Sequence, residues 1–443
     1  MAHSSSIFHR KLGHTYPTAT GGQGVYVHTS DGKKVLDGSC GAAVSCLGHG
    51  HPAVIAAIVD QAQALAFAHT SFFTNGPAEK LSTLLLSLSD DAFSKVMFVS
   101  SGSEAVEAAL KIARQYHVSN GQPGRVNYVG RMFGYHGNTF GALSAGNNPQ
   151  RRATFEPVLS KAFHHVSPCF FSRDAQPGES EQGYVDRLIA EYEDLFQSLG
   201  PETVAAVILE PISGATLGCV PPTAGYLSRI KELCARHGAL LIFDEVMCGM
   251  GRAETTHAWQ ALGGTRPHIQ TIGKGLGGGY QPISAVLVAS EVHDVIEAAQ
   301  VSLPFVNGHT YQGHPIGCAA ALAVQQTIVD EKLLDNVTKM GELLVRRILE
   351  MTPQVKEVRG VGLFQAAEFR PAETTTTTAG TTTTSKLAAK VAAKCLENGA
   401  AVYLCSTAVD AVMFAPPFII SEAEVDELVA IFSSSVTQVL AEL

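Results

Sequence analysis

The apolar positions of this chain fall into two interleaved patterns. Short, almost continuously apolar runs appear in "KVMFVSS", "RVNYVG", "VAAVILEP", "ALLIFDEV" and "IQTIGK". Runs of that length and composition predict buried strands. Between and before them, apolar residues recur at helical spacing in "HPAVIAAIVDQAQALAFA", "PAEKLSTLLLSL", "SEAVEAALKIARQYHV" and "AGYLSRIKELCARHG". Apolar strands separated by helices predict an α/β fold whose mostly parallel sheet is covered on both faces. Ahead of this region, "GVYVHTSDGKKVLDGSCG" predicts two short strands around the turn Asp31-Gly32.

After about residue 315 the pattern changes. One long helix is expected over "GCAAALAVQQTIVDEKLLDNVTKMGELLVRRILEM", then a strand pair in "VKEVRGVGLFQAAEF", then helices in "SKLAAKVAAKCLENG" and "SEAEVDELVAIFSSSVTQVLAEL". This predicts a smaller α+β domain made of residues 316–443 with an N-terminal segment, 1–60, around a large domain of 61–315. The low-complexity tract "PAETTTTTAGTTTTS" is expected to be a surface loop over 374–385 without chemistry.

Composition narrows the classes. The 443 residues are 46% apolar and 16% charged, which is globular rather than disordered. A net charge of −9 and no block of five basic residues argue against a nucleic-acid partner. No window reaches the ~18 apolar residues of a membrane helix, so no membrane partner is expected. Nine cysteines without C-x-x-C pairs match no zinc signature and suggest reduced thiols inside the cell. The expected compartment is the cytoplasm. "MAHSSSIFHRKLGHTYP" lacks the apolar core of a secretory signal, but Arg10 and Lys11 without acidic neighbours leave a mitochondrial address open.

Ligands of a parallel sheet bind at the carboxyl ends of its strands, and the unusual polar residues fall there. "ALLIFD" ends in Asp244, and "IQTIGK" ends in Lys274, followed by glycines. "KVMFVS" runs into Ser101-Gly102-Ser103 at a helix start, and "RVNYVG" leads to Tyr135 and His136. The helix start suits an anion such as a phosphate, although a plain serine cap would look the same. Asp244 needs a partner in its apolar surroundings: a structural ion pair, or a protonated ring nitrogen. Lys274 is a solvated lysine or a Schiff-base former with a lowered pKa. Phosphate, ring nitrogen, carbonyl and stacking ring together describe pyridoxal phosphate.

With these residues in hand, the chain resembles the class III aminotransferases, pyridoxal-phosphate enzymes of fold type I. The likeness rests on "LGHGHP", "SSGSEAVEAALKIAR", "GYHGNTFGALS", "ILEPISG", "LLIFDEVMCGMGR", "GKGLGGGYQPISAV" and "HTYQGHPIGCAAALA" in that order. It implies that Lys274 forms the Schiff base and carries the proton, and that Asp244 holds the pyridine nitrogen protonated. It also implies that Val246 and Tyr135 flank the ring. Ser101, Gly102 and Ser103 would hold the phosphate, and Thr310 would reach it from the other subunit of a homodimer. Glu210 would support the ring's surroundings, and His136 would stand behind Tyr135. Arg252 and the histidines of "LGHGHP" look structural.

The resemblance has gaps. Members that use glutamate or 2-oxoglutarate commonly carry an arginine in the C-terminal domain, but no arginine or lysine follows Lys394 here. The ornithine- and 4-aminobutyrate-type glutamate after "EP" is replaced by Ala215, and the 4-aminobutyrate-type arginine after "HG" by Asn138. The expected donor is therefore an amine, an ω-amino compound or an apolar amino acid, and the acceptor a small oxo acid or ketone. Cys40, Phe72 and Phe73 are candidates for the substrate pocket, with core packing an equal reading for the two phenylalanines. A racemase or decarboxylase on the same fold, or a binding protein that retains it, remain alternatives at this stage.

Overall fold

The computed structural model describes residues 5–370, 375–376, 382–383 and 386–443. Its strands in chain order are β1 (Ala19–Gln23), β2 (Tyr26–Thr29), β3 (Lys34–Asp37), β4 (Lys95–Val99), β5 (Asn127–Arg131), β6 (Phe163–Val166), β7 (Val204–Leu209), β8 (Leu240–Asp244), β9 (Ile269–Ile272) and β10 (Ser284–Val288). They continue with β11 (Val355–Val361), β12 (Phe364–Phe369), β13 (Thr375–Thr376), β14 (Thr382–Thr383), β15 (Ala400–Ala401), β16 (Tyr403–Leu404) and β17 (Ala411–Phe414).

A seven-stranded sheet of order β4-β10-β9-β8-β7-β5-β6 forms the centre. Only β10 runs against its neighbours, pairing antiparallel with both β4 and β9. The remaining pairs are parallel. Alternate residues of the central strands enter different clusters: Leu241 and Phe243 of β8 pack with Leu188, Tyr192 and Trp259, whereas Leu240 and Ile242 pack with Ala105, Ala109 and Ile112. Both faces are therefore dry, which explains the unbroken apolar runs.

The expected hairpin around Asp31-Gly32 forms, with Val27 opposite Val35. Its strand β3 also pairs in parallel with β15 from the far end of the chain. Val25, Leu36 and Leu47 share a core with Leu344, Phe414, Leu428 and Phe432. The strand pair β11–β12 is extended by β17 and β16 into a four-stranded sheet. Arg252 is buried, donates to the carbonyls of Leu363 and Pro416, and lies over the Phe418 ring, a structural placement. All nine cysteines are free and buried. No helix among the described residues is long and apolar enough to cross a membrane.

Two expectations need correction. The single long helix after residue 315 is two, Pro315–Asp330 and Leu333–Met351. Lys332 breaks it by adopting a left-handed φ of 52°, a turn that a non-glycine residue enters without any signature in the apolar pattern. The strand expected to end in Lys274 stops at Ile272. Gly273 follows, where a side chain would collide with Ser284 Oγ, and Lys274 opens a short 3-10 turn. The Thr-rich surface loop expected over 374–385 lies largely outside the described residues; within it Thr375 pairs with Thr383 and Thr376 with Thr382.

Candidate active site

The strand ends and the helix that starts after β4 surround one cavity of ≈ 450 Å³. Its walls include Ser101, Gly102, Ser103, Tyr135, His136, Glu210, Asp244, Val246 and Lys274.

The helix Gly102–Ser119 begins at the end of β4, with Ser101 as its cap accepting from the Glu104 amide at 3.2 Å. The first amides of a helix have no partner within it, so those of Gly102 and Ser103 are offered at this wall. Ser103 Oγ accepts the Asn138 amide at 3.0 Å, which leaves its own proton to donate. Gly102 is a close approach: a Cβ there would lie 2.6 Å from Val246 Cγ1. Val246 thus stands against the helix start.

Asp244 ends β8 and is buried. Its Oδ1 accepts from the Val246 amide at 3.0 Å and the Thr271 hydroxyl at 3.1 Å, and its Oδ2 faces His136 Nδ1 at 2.7 Å. Glu210 follows β7 and accepts from the amides of Tyr135 and Gly214, at 3.1 and 3.0 Å. Burial raises the Glu210 carboxyl above the usual carboxylate range. Lys274 has a φ of 41°, a strained conformation for a residue with a side chain. Burial lowers its amine below the ordinary lysine range, against the pull of Asp244 and Glu210. A lysine so lowered keeps a larger share of nucleophilic free amine.

The opposite wall is neutral. Tyr403, Leu404, Cys405 and Ser406 face Ile212, Ala215 and Thr216. The Ser406 amide donates to the Ala215 carbonyl at 2.9 Å, and Ser406 Oγ to the Thr216 carbonyl at 2.7 Å. The sequence motifs single out Ala215 but not Tyr403–Ser406, which stand at the cavity where β16 pairs with β17.

Four expected residues lie elsewhere. Cys40 is buried and its thiol donates to the Ser45 carbonyl at 3.1 Å; Ala42, not Cys40, reaches the cavity. Phe72 and Phe73 do not line the cavity of their own chain. They sit in a turn where both backbone amides donate hydrogen bonds to the His69 carbonyl, and they are 77% and 66% exposed, so they are not core either. Thr310 is exposed and also outside this cavity.

A doubly covered, mostly parallel sheet with a buried carboxylate, a lowered lysine amine and an anion-ready helix start around one cavity defines a cofactor-dependent α/β enzyme. Comparisons with known proteins supply the family. A family model described as aminotransferase class-III matches residues 7–436. An uncharacterized aminotransferase of Schizosaccharomyces pombe is 40% identical over 446 positions, covering 99% of this chain and 96% of that protein. A diaminobutyrate–2-oxoglutarate transaminase of Halomonas elongata is 34% identical, covering 95% and 90%. The crystal structure of the omega transaminase from Pseudomonas jessenii in complex with PMP superposes with a TM-score of 0.89 at 31% identity, covering 96% and 93%. The chain belongs to the class III aminotransferases and is a pyridoxal-phosphate-dependent transaminase. Nothing in these similarities favours a racemase, a decarboxylase or a non-catalytic binding protein.

The residues present fit that cofactor. The anion-ready amides of Gly102 and Ser103, the buried carboxylate of Asp244 and the Lys274 amine share one cavity, as a phosphate, a ring nitrogen and a carbonyl require. Bound there, the cofactor supplies an electron sink for the substrate carbon that loses its proton.

Proposed function

We propose that this transaminase takes its amino group from an amine, an ω-amino compound or an apolar amino acid, and passes it to a small oxo acid such as pyruvate or to a ketone. The observation that carries the reading is the neutral wall. Where glutamate-using members carry a guanidinium, this cavity has the uncharged stretch Tyr403–Ser406, with Ser406 hydrogen-bonded to the Ala215 and Thr216 carbonyls. A bidentate arginine–carboxylate contact is a strong, directional anchor, and without it that wall has no grip on the α-carboxylate of 2-oxoglutarate. The omega transaminase of Pseudomonas jessenii supports the reading by likeness; the Halomonas relative, named for 2-oxoglutarate, does not.

In this reading Lys274 is the attachment point of the cofactor carbonyl, and its ε-nitrogen holds and moves the proton of the reacting carbon. Asp244, oriented by His136, Thr271 and the Val246 amide, would hold the ring nitrogen. Val246 and Tyr135 would hold the ring, and Ser101, Gly102 and Ser103 would hold the phosphate. Glu210 fixes the Tyr135 backbone.

The working unit we propose is a homodimer with shared sites. In support, Thr310 and a set of aromatic residues, Phe67, Phe72, Phe73 and Tyr311, are exposed on one chain, as a surface awaiting a second copy would be. The proposed division into a large domain, 61–315, and a small one, 1–60 with 316–443, is supported by the pairing of β3 with β15. The proposed compartment is the cytoplasm, supported by nine free thiols.

The test is a donor panel. The holoenzyme is mixed with single donors, and conversion of the cofactor to its aminated form is followed by absorbance. Benzylamine, ω-amino acids or apolar amino acids react best if the reading holds; glutamate as the best donor at low concentration contradicts it.

A further inference from the structure

Two arginines line the active-site cavity, Arg10 from the N-terminal segment and Arg151 from the turn after Asn148. Neither forms an ion pair or a side-chain hydrogen bond among the described residues, although the neighbouring Arg152 is fully committed. Arg152 is buried, pairs with Glu156 through Nε and Nη2 at 3.0 Å each, and donates through Nη1 to the carbonyls of Ser144 and Gly146. Arg151 instead holds its guanidinium 4.9 Å from the centre of the Tyr135 ring. A cation–π contact orients the cation and leaves its donors for another group. Both arginines act on the Tyr135 phenol, each pulling against the rise that burial causes.

Among the described residues the cavity offers these cations no internal partner. Its two carboxylates are already engaged: Asp244 accepts from Val246 and Thr271 and faces His136, and Glu210 accepts from Tyr135 and Gly214. The wall formed by residues 403–406 has no charge at all. We propose that Arg151, assisted by Arg10, is the carboxylate anchor of this enzyme and sets its preference for oxo-acid acceptors and amino-acid donors over ketones. The anchor thus lies beside Tyr135, not on the C-terminal wall. It receives the carboxylate next to the reacting carbon, which the uncharged wall of residues 403–406 has no cation to hold. This inference rests on the reading of the cavity as the transaminase site.

The experiment uses holoenzyme and the variants Arg151→Gln, Arg151→Lys and Arg10→Gln. Binding of 2-methylpropanoate, an unreactive carboxylate, is measured by calorimetry beside its uncharged amide. The cofactor half-reactions with pyruvate and with benzylamine are followed in parallel. Arg151→Gln is expected to weaken carboxylate binding and to raise the pyruvate KM by about 10- to 100-fold. Amide binding should stay within about twofold, and the benzylamine half-reaction should lose less than the pyruvate half-reaction. Arg151→Lys should recover part of the loss, because the charge remains and the planar fork does not. Arg10→Gln should give a smaller loss of the same sign. Unchanged carboxylate binding in Arg151→Gln overturns the proposal, as does a wild type that binds the carboxylate no better than the amide. Cofactor loss in Arg151→Gln also overturns it, since the guanidinium then serves the cofactor phosphate. A wild type that binds the carboxylate through Arg151 yet ignores benzylamine sinks only the amine-donor reading.

Discussion

His136 Nδ1 lies 2.7 Å from Asp244 Oδ2, and both side chains are almost completely buried. The contact joins the turn after β5 to the end of β8, so two strands separated by β7 are tied at the floor of the cavity. A hydrogen bond to a charged partner in a dry site contributes more than a neutral one, and its loss leaves a buried acceptor unpaired. It also fixes the direction in which the carboxylate points.

His136→Ala should therefore leave the fold and cofactor content near wild type and lower kcat/KM by about 10- to 100-fold, the equivalent of one charge-assisted hydrogen bond. Steady-state kinetics with pyruvate as acceptor, together with the cofactor absorbance of the purified variant, checks this. Full activity would mean that the Val246 amide and Thr271 alone orient Asp244.

Gly102→Ala tests the close approach at the helix start. The added methyl would lie 2.6 Å from Val246 Cγ1, so Val246 must move from its place over the cavity. Overpacking of this kind costs about 1–3 kcal/mol. Most of that cost should appear as a cofactor Kd raised on the order of 10-fold. Equilibrium dialysis of the apo variant with pyridoxal phosphate measures it; an unchanged Kd would show that Val246 does not touch the bound ring.

Much of this arrangement was legible in the chain. Asp244, Lys274, Glu210 and Tyr135 each follow a strand whose apolar run ends, and a parallel sheet gathers such ends at one edge. The direction of β10 was not legible. A strand buried on both faces has no alternation to read, and its pairing depends on partners distant in sequence. Lys332 broke a helix without glycine or proline. The sequence offers Cys40, Phe72 and Phe73 as pocket candidates, with core packing an equal reading for the phenylalanines, yet Cys40 turns into the core and both phenylalanines are exposed outside the cavity of their own chain. Arg151 sits in "NPQRRATFEP" beside a second arginine, and only their partners distinguish the two: Glu156 and two carbonyls for Arg152, an aromatic ring for Arg151.

His257 should set part of the acid limit of stability. Its Nδ1 receives the Gln270 side-chain amide at 2.8 Å, while the Gln270 carbonyl accepts from Trp259 Nε1 at 3.0 Å. Burial pushes the imidazole down to about 4, and a proton on Nδ1 would face an N–H. The unfolded ring titrates near ~6.5, so in that window the unfolded chain binds the extra proton. His257 therefore contributes its stability fully above pH ~6.5 and loses it as pH falls towards 4, by on the order of 3 kcal/mol. Thermal midpoints of wild type and His257→Gln between pH 7.5 and 4.5, a range chosen to bracket ~6.5, should converge as pH falls. Parallel curves would contradict the assignment.

The central claim is that the amine of Lys274 holds the cofactor. Borohydride reduction of the holoenzyme, followed by digestion and mass mapping, tests it directly. The account predicts the reduced pyridoxyl phosphate mass on the peptide containing Lys274 and on no other. The same mass on a different lysine, with Lys274 unmodified, would contradict it.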